Sequence, residues 1–349
     1  MRFQEYKYNR TIRNWLILGL LMLIGQVILG GITRLTGSGL SITRWDIITG
    51  VIPPLNVADW EDAFNLYKET PQFNKINSSF ELSDFKFIYF WEYMHRLWVR
   101  TLGVIFIIPF LIFTFKRQLN FDLVKRLALV IALTMLTASA GWIMVQSGLI
   151  DRPWVNAYKL TFHFVLALLV VWAMIATIAN AYAYGSKRSS NAGKFIRVLL
   201  VITGVQLIFA GLMAGMKAGL YYATWPDMNG EIIPAVLLNS NNWTWANLTN
   251  YDAYLFAPAL VQFVHRGLAY ILFVLVVIAL IKFRKQIEKS AKRWLVISSY
   301  LLIIQVILGI FTVLNVAGKI PLTLGVLHQL FGLLFFTGLL FLHYALKKR

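Results

Sequence analysis

The chain has 349 residues and no cysteine. That absence excludes structural disulfides, thiolate zinc sites and cysteine-held iron–sulfur clusters. Charge is also scarce: 14 % of the residues are Asp, Glu, Lys or Arg, against roughly 25 % in soluble domains. Acid is scarcer still, with 15 acidic against 33 basic residues and a net charge of +18. In a soluble protein such a balance would point to nucleic acid. Here the basic residues sit in short segments beside apolar runs, so they report membrane topology and no nucleic-acid partner is expected.

What the chain has in abundance is hydrophobic residues, 58 % of the total. A membrane span needs about 20 mostly apolar residues. Eight stretches qualify: 15–33, 93–115, 127–148, 160–181, 196–216, 259–281, 294–314 and 323–345. The first lacks a small-residue cleavage site and reads as a retained helix, not a cleaved signal. The expected fold is all-α and polytopic, with the lipid bilayer as its surroundings. Lys116, Arg117, Lys125, Arg126, Lys187, Arg188, Lys194 and the run from Lys282 to Arg293 fall on one side of an eight-span chain. Arg2, Lys7, Arg10 and Arg13 at the start, and Lys347, Lys348 and Arg349 at the end, fall on that same side. Both termini are therefore expected to be cytoplasmic.

The two halves look alike. Gly39, Leu40, Trp45, Gly50, Ile52 and Pro54 meet Gly219, Leu220, Trp225, Gly230, Ile232 and Pro234 at a constant offset of 180. Gln26 and Gly31 meet Gln206 and Gly211 at the same offset, EYMHR (92–96) aligns with QFVHR (262–266), and His163 corresponds to His328. Composition makes apolar segments alike; it does not match loop Gly, Trp and Pro together with helix His. The expectation is two parallel-repeat four-helix bundles, residues 1–185 and 186–349.

Of five histidines, four (His95, His163, His265 and His328) lie near the outer ends of the even-numbered spans. Ionisable groups inside a membrane are costly and usually functional. An imidazole from each of two facing helices can fill both axial positions of a haem iron, which pairs His95 with His163 and His265 with His328. Zinc or copper would recruit further ligands, and only Glu92 is available. His343, at the inner end of the last span, reads as interfacial. Arg96 and Arg266 directly follow their histidines, Arg100 lies a turn beyond Arg96, and Arg34 and Lys217 close the first spans of the two halves. Each of these cations suits either an outward-facing propionate or a lipid headgroup. Trp45 and Trp225 suit either a haem edge or the aromatic belt.

Glu92 breaks the symmetry, since its counterpart is Gln262. Three positions before His95, it lies on the same helix face. The expectation is that the first half is the reactive pocket, with Glu92 moving protons or orienting water; the alternative is an ion pair with Arg96 or Arg100. The long external loop 34–92 is expected to carry helices near 58–69 and 83–92 that lie on the membrane and roof the first pocket.

These segments resemble the haem A synthase family. The resemblance is carried by GGITRLTGSGLSITRWD (30–46), FELSDFKFIYFWEYMHR (80–96), GLMAGMKAGLYYATWPDMNGEIIP (211–234), FVHR (263–266), QVILGIFTV (305–313) and LHQ (327–329). It runs in order along nearly the whole chain. It implies that His95 and His163 hold the substrate haem O, that His265 and His328 hold a haem b, and that Glu92 is catalytic. It implies oxidation of the C8 methyl of haem O to a formyl group, with dioxygen and an electron donor such as a ferredoxin system. Haem O synthase and cytochrome c oxidase assembly factors are the implied neighbours. The expected location is a bacterial inner membrane with the haem sites toward the outer side. The family's cysteine-bearing subgroup is excluded, because this chain has none. A di-haem b cytochrome linked to quinone is the main alternative, and a transporter fits less well because the histidines lie near one surface.

Overall fold

The computed structural model describes residues 8–44, 49–150, 152–182, 185 and 191–347. Trp45 and the basic residues Arg2, Lys7, Lys187, Arg188, Lys348 and Arg349 lie outside the described residues. The protein is 77 % helical, and no strand occurs among the described residues. Eight helices are long and apolar enough to cross a membrane. They are α1 (Arg10–Leu35), α2 (Leu82–Phe115), α3 (Phe121–Gly148), α4 (Ala157–Ala181), α5 (Asn191–Gly215), α6 (Phe256–Phe283), α7 (Lys289–Leu314) and α8 (Leu322–Leu346). The chain is a multi-pass membrane protein.

Local chemistry starts several of these helices. Asn9, Asn120 and Asn156 cap α1, α3 and α4, each accepting a backbone N–H of the first turn through its side chain, which satisfies donors that a helix leaves unpaired. A capping box of Glu81 and Asp84 starts α2. From there nothing breaks the helix until Phe115, apart from Pro109 within it. The expected membrane-surface helix at 83–92 is therefore not separate: it is the first third of α2. That stretch projects by roughly 16 Å past the expected membrane boundary. The expected helix near 58–69 does form, as Val57–Lys68. It packs on the projecting turns of α2, where Phe85 stacks on Phe64 (5.1 Å) and Tyr67 (5.2 Å). Burial of Phe64, Tyr67, Phe85 and Ile88 explains why α2 continues: the extra turns have their own small core to cover.

The eight helices are not equivalent in depth. Half of the most apolar stretch of α4 is buried, 50 %, against 11 % for α2. Helices α4 and α8 touch each other at the centre, and α1 packs on α2, α4 and α8. Helix α5 packs on α4, α6 and α8, while α3 lies on α4 and α7 on α8. Large apolar side chains such as Leu21, Val104, Met135, Val201 and Ile281 stay exposed on the outer helices, as lipid-facing surfaces do.

Candidate histidine site

Each of the four outer-end histidines sits on an even helix against the preceding odd one, and the odd helix presents a polar residue followed four positions later by a small one. The pairs are Gln26 with Gly30 in α1, Thr137 with Gly141 in α3, Gln206 with Ala210 in α5, and Gln305 with Gly309 in α7. A spacing of four puts both on one helix face. His163 on α4 has its Nδ1 2.9 Å from the Thr137 carbonyl, and a Cβ added at Gly141 would come 2.8 Å from its Cε1. His328 on α8 repeats the arrangement, with Nδ1 3.1 Å from the Gln305 carbonyl and Cε1 2.8 Å from a Cβ at Gly309. Only glycine permits that approach.

His265 and His95, on α6 and α2, are held differently. The Gln206 amide lies 3.4 Å from His265 Nε2. Gln26 instead donates to the His95 backbone carbonyl (3.2 Å), and a Cβ at Gly30 would lie 3.3 Å from His95 Nε2. The Gln305 amide lies 3.3 Å from His328 Nε2. These supporting residues were not among the sequence candidates. Their signal is legible in retrospect, because QVILG occurs at both 26–30 and 305–309.

The rings of His265 and His328 are brought together, with centroids 6.4 Å apart. His95 and His163 lie within electrostatic reach of each other. An iron gripped by two imidazoles requires ring centres about 6 Å apart, from two metal–nitrogen bonds of about 2 Å and roughly 1 Å within each ring. The second pair meets that requirement. Buried polar atoms with no hydrogen-bond partner lie beside both pairs: Gln26 Oε1 next to His95, and Gln206 Oε1, Gln305 Oε1 and His265 Nδ1 at the second pair. Each such atom costs about 1–3 kcal/mol, a concentration that suits a site built for a polar ligand. Among the described residues, no three His, Cys, Asp or Glu side chains cluster as metal ligands. A metal held by either pair must bring its remaining ligands with it, as a porphyrin does.

Next to each pair, flanking residues of α2 and α6 grip the loop that precedes that helix. Glu92, 3 % exposed, accepts from Ser41 N (2.8 Å), Ser41 Oγ (2.8 Å) and Ile42 N (2.9 Å) through one oxygen. Its other oxygen pairs with Arg96 at 2.5 Å. Arg96 also donates to the carbonyls of Ile42 (3.0 Å) and Arg44 (3.3 Å). In the second half, Gln262 Nε2 donates to the Tyr222 carbonyl (2.8 Å), and Arg266 donates to the carbonyls of Tyr222 (3.0 Å) and Asp227 (2.6 Å). Arg96 and Arg266 thus bond loop backbone, and Glu92 is ion-paired with Arg96. Arg34 lies elsewhere, on the seam between α1 and α5, where it donates to the carbonyls of Ala214 and Gly215. That is how a cation caps a helix C-terminus. Nearby, burial pushes the Lys217 ammonium below its usual range, with the Arg34 charge adding to the effect, and its Nζ lies over the Trp154 ring at 4.3 Å. Trp225 donates its indole N–H to the Tyr270 hydroxyl (3.1 Å). His343 is partly buried beside Tyr344.

Residues 13–340 match the family described as cytochrome oxidase assembly protein. A protein named "Heme A synthase" from Wolbachia sp. subsp. Brugia malayi is 37 % identical over 350 residues, covering 99 % of each chain. The chain belongs to the haem A synthase family. A second member, from Nitrosospira multiformis and of the same printed name, is 36 % identical over 99 % of this chain and 96 % of its own. A third, from Bradyrhizobium diazoefficiens, is 39 % identical over 92 % and 87 %. The matched span, residues 13–340, includes the positions of all four paired histidines.

Proposed function

We propose that the protein makes haem A by oxidising the C8 methyl group of substrate haem O to a formyl group through successive oxygenations. Residues 1–185 form the substrate half and 186–349 the half that holds a resident haem b. The observation that carries this reading is a pair of matched histidine sites in a chain that aligns end to end with proteins named for haem A synthesis. His95 and His163 hold the substrate's iron, and His265 and His328 hold haem b. The 6.4 Å spacing of the second pair and the carbonyl-bound Nδ1 of His163 and His328 support that assignment. An Nδ1–H fixed on a carbonyl leaves Nε2 as the lone-pair nitrogen and raises its basicity. Haem b, when bound, supplies one-electron redox chemistry.

The remaining work falls to the chain's own residues. Glu92 holds Ser41 and Ile42 against α2 and carries a full carboxylate one turn from His95, whereas Gln262 does the same mechanical job with a neutral amide. A carboxylate there favours positive charge and ordered water at the outer edge of the first site, which supports its role as the group that orients water or moves a proton. Arg96 and Arg266 keep the two loops closed over the outer ends of the pairs, limiting water. Arg34 joins the halves and sets a positive potential that favours outward-facing propionates.

The histidine sites face the outer side of a bacterial inner membrane with both termini cytoplasmic, a reading supported by the basic segments between the odd and even helices. Dioxygen is the co-substrate. The electron donor is a separate protein, such as a ferredoxin system; haem O synthase supplies substrate, and cytochrome c oxidase assembly factors receive product.

The test is pigment extraction from cells that make haem O and this chain and have no other route to haem A. Haem A together with haem b is the expected result. Haem b alone would favour a di-haem cytochrome, for which one observation speaks: both oxygens of Glu92 are already engaged by Arg96 and the loop, so the Glu92/Gln262 difference also has a mechanical account.

A further inference from the structure

We propose that the two ligands of the first site are unequal: His163 is the fixed ligand, and His95 is the exchangeable one that opens the iron. The inference rests on the assignment of His95 and His163 to the substrate haem, and it goes on to say which bond yields.

Two of the four histidine rings, those of His163 and His328, are held by the neighbouring odd helix through Nδ1 on a carbonyl. His265 Nδ1 has no partner, and the Gln206 amide faces its Nε2, the nitrogen an iron would take. Among the described residues, neither ring nitrogen of His95 has such a partner. The residue that should provide it, Gln26, stands at the register of Gln206 but donates to the His95 main-chain carbonyl instead. The small position differs too. Glycine occupies position 30, beside His95 Nε2, and Ala210 occupies the same register in the second half. The first site thus lacks the methyl that Ala210 carries, beside a ring with no hydrogen-bond partner of its own. His163 by contrast is pressed so closely on Gly141 that any side chain there would collide with it.

The backbone carrying His95 is firmly held. One turn outward, Glu92 is bound to Ser41, Ile42 and Arg96. One turn inward, Trp98 donates to the Met22 carbonyl at 2.8 Å and packs within 3.0 Å of a Cβ placed on Gly25. Helix α2 is thus anchored on both sides of a ring that has no anchor of its own. Dissociation then needs only a χ rotation of His95, not movement of a helix. An unsupported imidazole is also the weaker ligand, since loss of such partners lowers metal affinity by about 10–100-fold. A substrate site needs this property, because its haem must load, expose a coordination position and leave.

The experiment uses the full-length protein purified with haem at both sites, and compares His95→Ala with His163→Ala by optical and electron-paramagnetic-resonance spectra. His95→Ala is expected to keep first-site haem as a five-coordinate, high-spin species that binds carbon monoxide at once. His163→Ala is expected to lose that haem, halving the haem content. The low-spin signal of the His265–His328 site reports that both variants are folded. Equal behaviour of the two variants, or the reverse order, overturns the proposal. A third variant, Gly30→Ala, is expected to slow carbon monoxide binding to the reduced first site by roughly tenfold, because the added methyl obstructs rotation of the ring. An unchanged rate overturns the proposal as well. Wild-type protein in which only the second site ever takes haem would instead overturn the assignment on which the inference rests.

Discussion

The loops that precede α2 and α6 are closed by the same machinery with different electrostatics. In the first half, an ionised Glu92–Arg96 pair pins residues 41–44 to α2. In the second, a neutral Gln262 and Arg266 pin Tyr222 and Asp227 to α6. The bonds even fall at matched positions, since Ile42 and Tyr222 are 180 residues apart, the offset that also relates the loop glycines and tryptophans. Mechanical closure does not demand a carboxylate, because the second half manages without one. A buried charge is difficult to keep unless it is paired and hydrogen-bonded, and Glu92 is both, through Arg96, Ser41 and Ile42. The comparison shows a clamp of one design whose charge, present at Glu92 and absent at Gln262, is what separates the two loops.

The sharpest way to break this comparison is Glu92→Gln, which copies the second half into the first. We expect haem A formation to fall by about 100-fold or more while the low-spin second-site spectrum persists. Normal turnover would show that the carboxylate is only a clamp. Clamping itself is read by proteolysis of the 36–56 segment: removing one partner of a buried ion pair costs about 3–5 kcal/mol, so faster cleavage is expected there and not in 221–234.

The seams between the halves offer a second contrast. A Cβ at Gly215 would lie 2.6 Å from the Ala157 Cα, whereas the nearest atoms to a Cβ at Gly31 are those of the terminal amide of Gln329. Gly215→Ala should therefore destabilise the protein by about 3 kcal/mol, at the upper end for overpacking, because helix backbone cannot step aside. Gly31→Ala should cost about 1 kcal/mol, and adding Gln329→Ala should recover most of it by removing the obstruction, although the bond from Gln329 to the Val27 carbonyl is then lost. Thermal denaturation of the three variants in detergent decides this; equal losses at the two glycines would mean the seams are built alike.

The smallest effect concerns pH. The Thr224 hydroxyl, together with the Gly230 amide, holds the Asp227 carboxyl below its usual range. A depressed carboxyl stabilises the fold above its unfolded value of about 3.9, and that contribution disappears as pH falls through the lower folded value. Hydrogen exchange in 221–231 should stay slow at pH 5 and quicken only in stronger acid; Asp227→Asn should remove this acid-dependent step and leave the first-half loop unchanged.

Much of the site was legible along the chain. His95, His163, His265 and His328 stand out because an apolar span makes every ionisable residue conspicuous, and Glu92 stands out because residues 92–96 align with 262–266, where Gln262 takes its place. Gln26, Thr137, Gln206 and Gln305 were not recognised as supports, because a lone polar residue in a span is equally well explained by helix packing. The boundary of α2 was set too late, at residue 93 and not at Leu82. Hydropathy falls where the helix leaves the membrane, yet the helix goes on because Phe85 and Ile88 are buried by Val57–Lys68. Arg34 was placed correctly at a helix end, but its bonds to Ala214 and Gly215 join residues distant in the chain.

The sequence by itself determined the eight helices, the basic segments between them and the four histidines. Burial in lipid and the exclusion of charge act on each segment separately, so they leave a one-dimensional record. The tertiary structure alone decided that His163 and His328 are held through Nδ1, which loops Glu92 and Gln262 grip, and that among the described residues the His95 ring has no hydrogen-bond partner. Those properties depend on the direction of a side chain relative to a carbonyl on another helix, and a shift of one ångström or one rotamer changes them without altering a letter of the sequence.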